Sequence, residues 1–230
     1  MNPEETLRLE TVHRVEDGLR LPALLWRPGP RRMISSGLVG GGIGEAAWVL
    51  NAQVPGGYSR MDPVEHLAEL AERFGLSGRG AGLLTAADVG AVSRGEDGGA
   101  EAAATVGLRV PTWAAAPAGA ADPELAPERL DAWRPGTINI VVSVPVALTD
   151  AALVNAVVTV TEAKTQALLE AGYDCSGTAS DAVCVAAAPG GPPEPFAGPR
   201  SLWGARIARA VHAAVLAGAR DYTSRLRTIR

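Results

Sequence analysis

A Val- and Ile-rich run, residues 137–146, and an apolar run, residues 182–188, bracket a long helical stretch. No other feature of the chain constrains its fold as much. The first run has the β-branched density of a strand. Thr149 or Asp150 caps the helix that follows, which runs to about Ala171 before Gly172 ends it. A strand of about ten residues rises roughly 33 Å, and a helix of about 22 residues covers a similar length. The segment therefore reads as a βαβ crossover, with two parallel strands and the helix packed on the sheet. Such a crossover brings Asn139 and the Ser180–Asp181 pair toward one sheet edge.

The other elements are shorter. Residues 6–27 read as two strands around an Asp17-Gly18 hairpin turn. A third strand spans Arg32–Val39, and Gly40–Ala46 then feeds a helix around Glu45–Gln53. Asp62-Pro63 opens an amphipathic helix with Val64, Leu67, Leu70, Ala71 and Phe74 on one stripe. Gly82–Val89 and Ala102–Val110 read as strands, Ser93–Ala100 as a polar loop, and Trp203–Ala219 as a last helix. The short connections among these strands favour antiparallel pairing. Residues 114–135, rich in Ala, Pro and acidic groups, read as an exposed insertion. The expectation is a single α+β domain over residues 1–230. It has a mixed, largely antiparallel sheet with helices packed against it, and a two-sheet, four-layer sandwich is the alternative.

Composition narrows the function. The net charge is -4 and the basic residues are scattered, so nucleic acid is not an expected partner. No apolar run reaches the roughly 18 residues of a membrane span. The start of the chain is acidic and has no apolar signal core, so a cytoplasmic location is expected. Two cysteines, Cys175 and Cys184, do not make a disulfide framework. The three histidines, His13, His66 and His212, are far apart and fall in no metal motif, so neither a metal site nor a cofactor is expected.

Candidate site residues come from four places. The chain has 20 arginines and a single lysine, Lys164. Where Arg is the default cation, a lone Lys suggests a use for its compact, tunable charge. On the same helix, Asn155, Thr159, Glu162 and Gln166 follow at steps of four, three and four, a polar stripe suited to binding amides or to a solvated face. Thr178, Ser180 and Asp181 lead into the second crossover strand as a hydrogen-bonding nest or a simple turn. Ser35 and Ser36 end a strand before the Gly-rich loop, without the surroundings of a nucleophile elbow. That loop fits neither dinucleotide nor phosphate-loop spacing, and it reads more simply as a tight turn.

Several stretches together resemble the adenosylcobinamide amidohydrolase family. They are ISSGLVGGG (34–42), LNAQVP followed by Tyr58, LLTAADV (83–89), ATVGL (104–108), PGTINIVV (135–142), LTDAALVNAVVTVTEAKTQALLEAG (148–172), GTASDAV (177–183) and PFAGPRSLWG (195–204). Family members often carry Asn-Gly-Gly where this chain has Val39-Gly40-Gly41, and Thr in place of Ser180. The resemblance implies hydrolysis of the amide that joins aminopropanol to the corrin ring of adenosylcobinamide. The products are adenosylcobyric acid and 1-amino-2-propanol, in cobamide salvage. Cobalt enters only within the corrinoid substrate. A corrinoid carrier without turnover and an amidase for smaller substrates are the alternatives. The expected catalytic residues are Glu162, Lys164 and Asp181, with Glu162 or Asp181 activating water. A Ser36 or Thr178 nucleophile with Lys164 as base is the rival scheme. Substrate contacts are expected from Ser36, Gly41, Asn51, Thr85, Asn139, Asn155, Thr165, Thr178 and Ser180.

Overall fold

The structure, a computed structural model, describes residues 7–56, 58–119 and 136–228. Most of the expected insertion, residues 120–135, lies outside the described residues. The strands fall into two sheets. The first contains β1 (Glu10–Glu16), β2 (Leu19–Trp26), β5 (Val49–Gln53) and β6 (Ala81–Thr85), in the order β1-β2-β5-β6. The second contains β3 (Arg31–Ser35), β4 (Gly42–Ala46), β7 (Ser93–Asp97), β8 (Ala100–Val106), β9 (Ile138–Val144) and β10 (Ala182–Ala187). Its order is β4-β3-β10-β9-β8-β7.

Three apolar clusters stack these sheets with the helices into four layers. Helix α1 (Pro63–Arg73) lays Leu67, Leu70 and Ala71 on Ala23, Leu25 and Leu50 of the first sheet. Trp26, Val49 and Leu83 of that sheet meet Met33, Ala103, Val141 and Cys184 of the second. On the far face, α2 (Asp150–Glu170) and α3 (Leu202–Thr228) cover Ile138, Ile140, Val142 and Val185. The α+β class holds, and the strands adopt the two-sheet, four-layer arrangement.

The crossover is as read from the sequence. β9 and β10 run parallel, with Asn139 opposite Ala182, and α2 connects them. Thr149 caps α2 by accepting a hydrogen bond from the Ala152 amide at 3.1 Å. The hairpin is also as read: Asp17 and Gly18 both take positive φ, 47° and 75°, the backbone that a two-residue turn demands.

Four expectations are corrected. The helix expected over Glu45–Gln53 is instead strand, because Val49–Gln53 is buried between β2 and β6 and burial overrides the Ala-rich propensity. The expected loop Ser93–Ala100 is an edge strand and its turn, with an alternating exposure that masks its period in a polar sequence. β5 and β6 are parallel, because α1 supplies a second crossover between them. Helix α3 continues past Ala219 to Thr228.

Candidate functional site

The chain ends of several strands meet at one cleft of about 400 Å³. It is lined by Ser36 and Leu38 after β3, Val54 and Tyr58 after β5, and Thr85 after β6. Thr137 before β9 and Ser180 and Asp181 before β10 complete the polar side. The parallel crossover explains this meeting: β9 and β10 start side by side, so the residues that precede them share an edge.

Asp181 is the most heavily bonded group there. One carboxylate oxygen accepts from the Ile138 amide at 2.9 Å and the Thr178 hydroxyl at 2.5 Å. The other accepts from the Thr178 amide at 3.2 Å and from the Lys164 ammonium. Both side chains of the ion pair are about nine-tenths buried, at 9% and 10% exposure. A buried charge needs such partners. Gly177 makes the approach possible, since a Cβ there would strike both the Asp181 carboxylate and Lys164 Nζ.

The hydroxyls are placed by backbone contacts. Ser36 Oγ accepts from the Val183 amide at 3.0 Å, and this leaves its proton for the cleft. The Thr137 and Ser180 hydroxyls are 2.8 Å apart. Thr85 Oγ1 accepts from the Ala87 amide at 3.0 Å. Behind the cleft, Asn139 donates to Asn51 Oδ1 at 2.8 Å and to the Leu84 carbonyl at 2.9 Å, and Asn51 donates to the Thr105 hydroxyl at 3.0 Å. This buried chain of amides joins the two sheets and holds Leu84, a cleft residue, in place.

Of the sequence candidates, Ser36, Thr85, Ser180 and Asp181 line the cleft. Lys164 and Thr178 bond Asp181 from behind. Asn51 and Asn139 lie between the sheets. The other four are elsewhere. Glu162 is exposed and does not line the cleft, because it stands two positions from Lys164 and so falls on another face of α2. Asn155 lies beside Gly198, and its stripe neighbour Thr159 donates to the Ala197 carbonyl at 2.8 Å. The first half of the polar stripe therefore docks the 195–201 segment, while Glu162 and Gln166 are exposed. Thr165 bonds the Thr161 and Ser176 carbonyls, which ties α2 to the turn before Gly177. Gly41 is exposed, and its carbonyl accepts from Arg79 along with those of Gly40 and Ile43.

Two members of the rival scheme, Thr178 and Lys164, both bond Asp181. The Thr178 hydroxyl donates to Asp181, and Lys164 is paired with that carboxylate.

Sequence reasoning missed one group. Tyr58 OH is 2.9 Å from His66 Nδ1, and His66 Nε2 is 2.7 Å from Glu16 Oε1. Arg14 pairs with Glu16 at 2.7 Å. Tyr58 lines both the cleft and a second cavity of about 490 Å³. These residues span some fifty positions in β1, the 54–62 loop and α1, so no local spacing could have revealed them.

Residues 7–227 match the family described as Adenosylcobinamide amidohydrolase. The chain is 33% identical over 199 residues to the Methanosarcina mazei adenosylcobinamide amidohydrolase, covering 83% of this chain and 90% of that protein. It is 46% identical over 84 residues to the Halobacterium salinarum protein of the same name, covering 36% of each. Among the described residues, no helix is long and apolar enough to cross a membrane. The chain belongs to the adenosylcobinamide amidohydrolase family, whose members are amide-cleaving hydrolases.

Proposed function

We propose that the cleft at the end of the two sheets hydrolyses the amide joining aminopropanol to the corrin ring of adenosylcobinamide. The products are adenosylcobyric acid and 1-amino-2-propanol, which a salvage route returns to cobamide synthesis. The observation that carries this reading is the cleft's chemistry in a member of this family. Its polar wall is made of neutral hydroxyls, Ser36, Thr85, Thr137 and Ser180, with one carboxylate, Asp181. A corrinoid substrate presents many neutral amides, which such a wall hydrogen-bonds without a fixed charge. Leu38, Val54 and Leu83 supply the apolar side for its bulk.

The roles follow from the bonding. Asp181 accepts four hydrogen bonds, so its lone pairs are spent on holding the turn and Lys164. Lys164 is the charge at the site. It stabilises the oxyanion that forms on the amide carbonyl. Ser36 and Ser180 position the amide. Glu162 takes no part, because it is exposed on another face of α2, without the link to the cleft that Asp181 gives Lys164.

The test is incubation of the purified protein with adenosylcobinamide, followed by mass spectrometry. Adenosylcobyric acid appears with the wild-type protein and not with Lys164→Met. Near-normal turnover by Lys164→Met contradicts the assignment. Intact substrate bound to the protein supports a carrier.

A further inference from the structure

The cleft needs a group that removes a proton from the attacking water, and Asp181 has no free lone pair for it. The wall shared with the second cavity holds a chain that does. Glu16 receives two partners: Arg14 at 2.7 Å and His66 Nε2 at 2.7 Å. Burial raises the Glu16 carboxyl, but the hydrogen bonds and charges of Arg14 and His66 outweigh it and hold the group below its ordinary value. Glu16 is therefore ionised at neutral pH and accepts the Nε2 proton of His66. That fixes the tautomer, leaving Nδ1 with a lone pair 2.9 Å from Tyr58 OH. The Tyr58 hydroxyl then donates to His66, and its oxygen lone pairs are left for the cleft.

We propose that Tyr58 is the catalytic proton carrier of this cleft, with His66 and Glu16 as the positioning residues behind it. The arrangement repeats the logic of an activated nucleophile, a base in hydrogen-bond reach and a third group orienting the base. The proposal rests on the amidohydrolase reading above. A water in the cleft loses a proton to Tyr58 O while the Tyr58 proton passes to His66 Nδ1, and the imidazolium is held by Glu16. The water oxygen bonds to the amide carbon. When the C–N bond breaks, Tyr58 returns a proton to the amine nitrogen and recovers its own from His66. The sum is amide plus water giving carboxylic acid and amine.

Other features favour this use over a simple pin. Burial pushes the Tyr58 phenol up, with Arg60 pulling the other way, so it enters as a neutral carrier. His66 is 2% exposed, so it reaches the cleft only through Tyr58. Arg14 is buried at the closed end, and its Nε and Nη1 have no hydrogen-bond partner among the described residues. A buried charge left partly unsatisfied is costly to stability, and groups of this kind gather at functional sites. The charged groups facing the histidine are Glu16 and Arg14 from β1, Arg60 and Asp62 from the loop, and Glu69 from α1.

The test compares the wild-type protein with Tyr58→Phe, His66→Gln and Glu16→Gln across pH, with adenosylcobinamide as substrate. Tyr58→Phe and His66→Gln are expected to lower kcat by about 100-fold or more, as for loss of an acid–base group, with KM little changed. In the wild type, kcat falls in acid once His66 is already protonated. In His66→Gln that limb disappears from the residual activity. Tyr58→Phe with kcat within about twofold of wild type, or an acid limb that survives in His66→Gln, overturns the relay. If the wild type does not turn over adenosylcobinamide, the functional reading fails first. Nitrogen NMR of labelled histidine then judges the relay alone. Its expected result is a His66 carrying its proton on Nε2, with an Nδ1 signal that shifts in Tyr58→Phe. A proton on Nδ1, or no shift, overturns it.

Discussion

Lys164 and Asp181 form a buried ion pair between α2 and the turn that starts β10, with side-chain exposures of 9% and 10%. Each is the other's main compensation for leaving water. Loss of either partner strands a charge in the interior. Lys164→Met and Asp181→Asn should each lower stability by about 3–5 kcal/mol in urea titration. The double variant should lose less than the sum, by roughly 0.5–3 kcal/mol of coupling. Additive losses would mean that the pair is not the unit described.

Gly177 is the second point of sensitivity. A methyl group there meets the Asp181 carboxylate and Lys164 Nζ at once. Gly177→Ala should displace the pair and cut turnover by at least about tenfold, a loss of about 1.4 kcal/mol in transition-state stabilisation. Gly190→Ala, at a φ of 82° that also strains a side chain but with open space around it, should leave turnover unchanged. Equal activity in both variants would show that Gly177 does not set the site.

Acid stability should carry the mark of Glu16. Its folded pKa lies below its ordinary value of 4.5. A carboxyl depressed in the folded state contributes stability above its unfolded pKa, and that contribution is lost as pH falls through the folded value. Glu16→Gln should therefore flatten the fall in stability below about pH 4.5, measured by denaturant titration at successive pH values. An unchanged slope would mean that Arg14 and His66 do not hold the ionised form.

The two cysteines should be inert in the folded protein. Burial pushes the Cys184 thiol up to about 12, against a smaller opposing hydrogen bond from Ser35. Burial also raises Cys175. Thiolate is the reactive form. Iodoacetamide at pH 8 should label neither thiol in native protein and both after unfolding. Native labelling of Cys184 would show that the inter-sheet core opens readily.

The parts legible in the sequence were those with local signals. β9, α2 and β10 carry strong periodicity and a capping threonine, so the crossover and the shared edge of Asn139, Ser180 and Asp181 could be read directly. The lone lysine was legible because composition made it conspicuous, and it does pair with Asp181. Val49–Gln53 was misread because its strand character comes from neighbours on both sides, β2 and β6, which are distant in sequence. The α2 stripe was read as an amide-binding or a solvated face; Glu162 and Gln166 are exposed, whereas Thr159 serves the Ala197 carbonyl. Spacing along a helix gives a face but not what covers it. Tyr58, His66 and Glu16 are joined only by tertiary packing.

The central claim is that this cleft uses water to cleave the corrin–aminopropanol amide. The most direct measurement is turnover of adenosylcobinamide in ¹⁸O-labelled water, with both products followed by mass spectrometry. The expected result is adenosylcobyric acid carrying one ¹⁸O in its new carboxylate, together with unlabelled 1-amino-2-propanol. Adenosylcobinamide recovered intact, or a cobyric acid product without label, would contradict the claim.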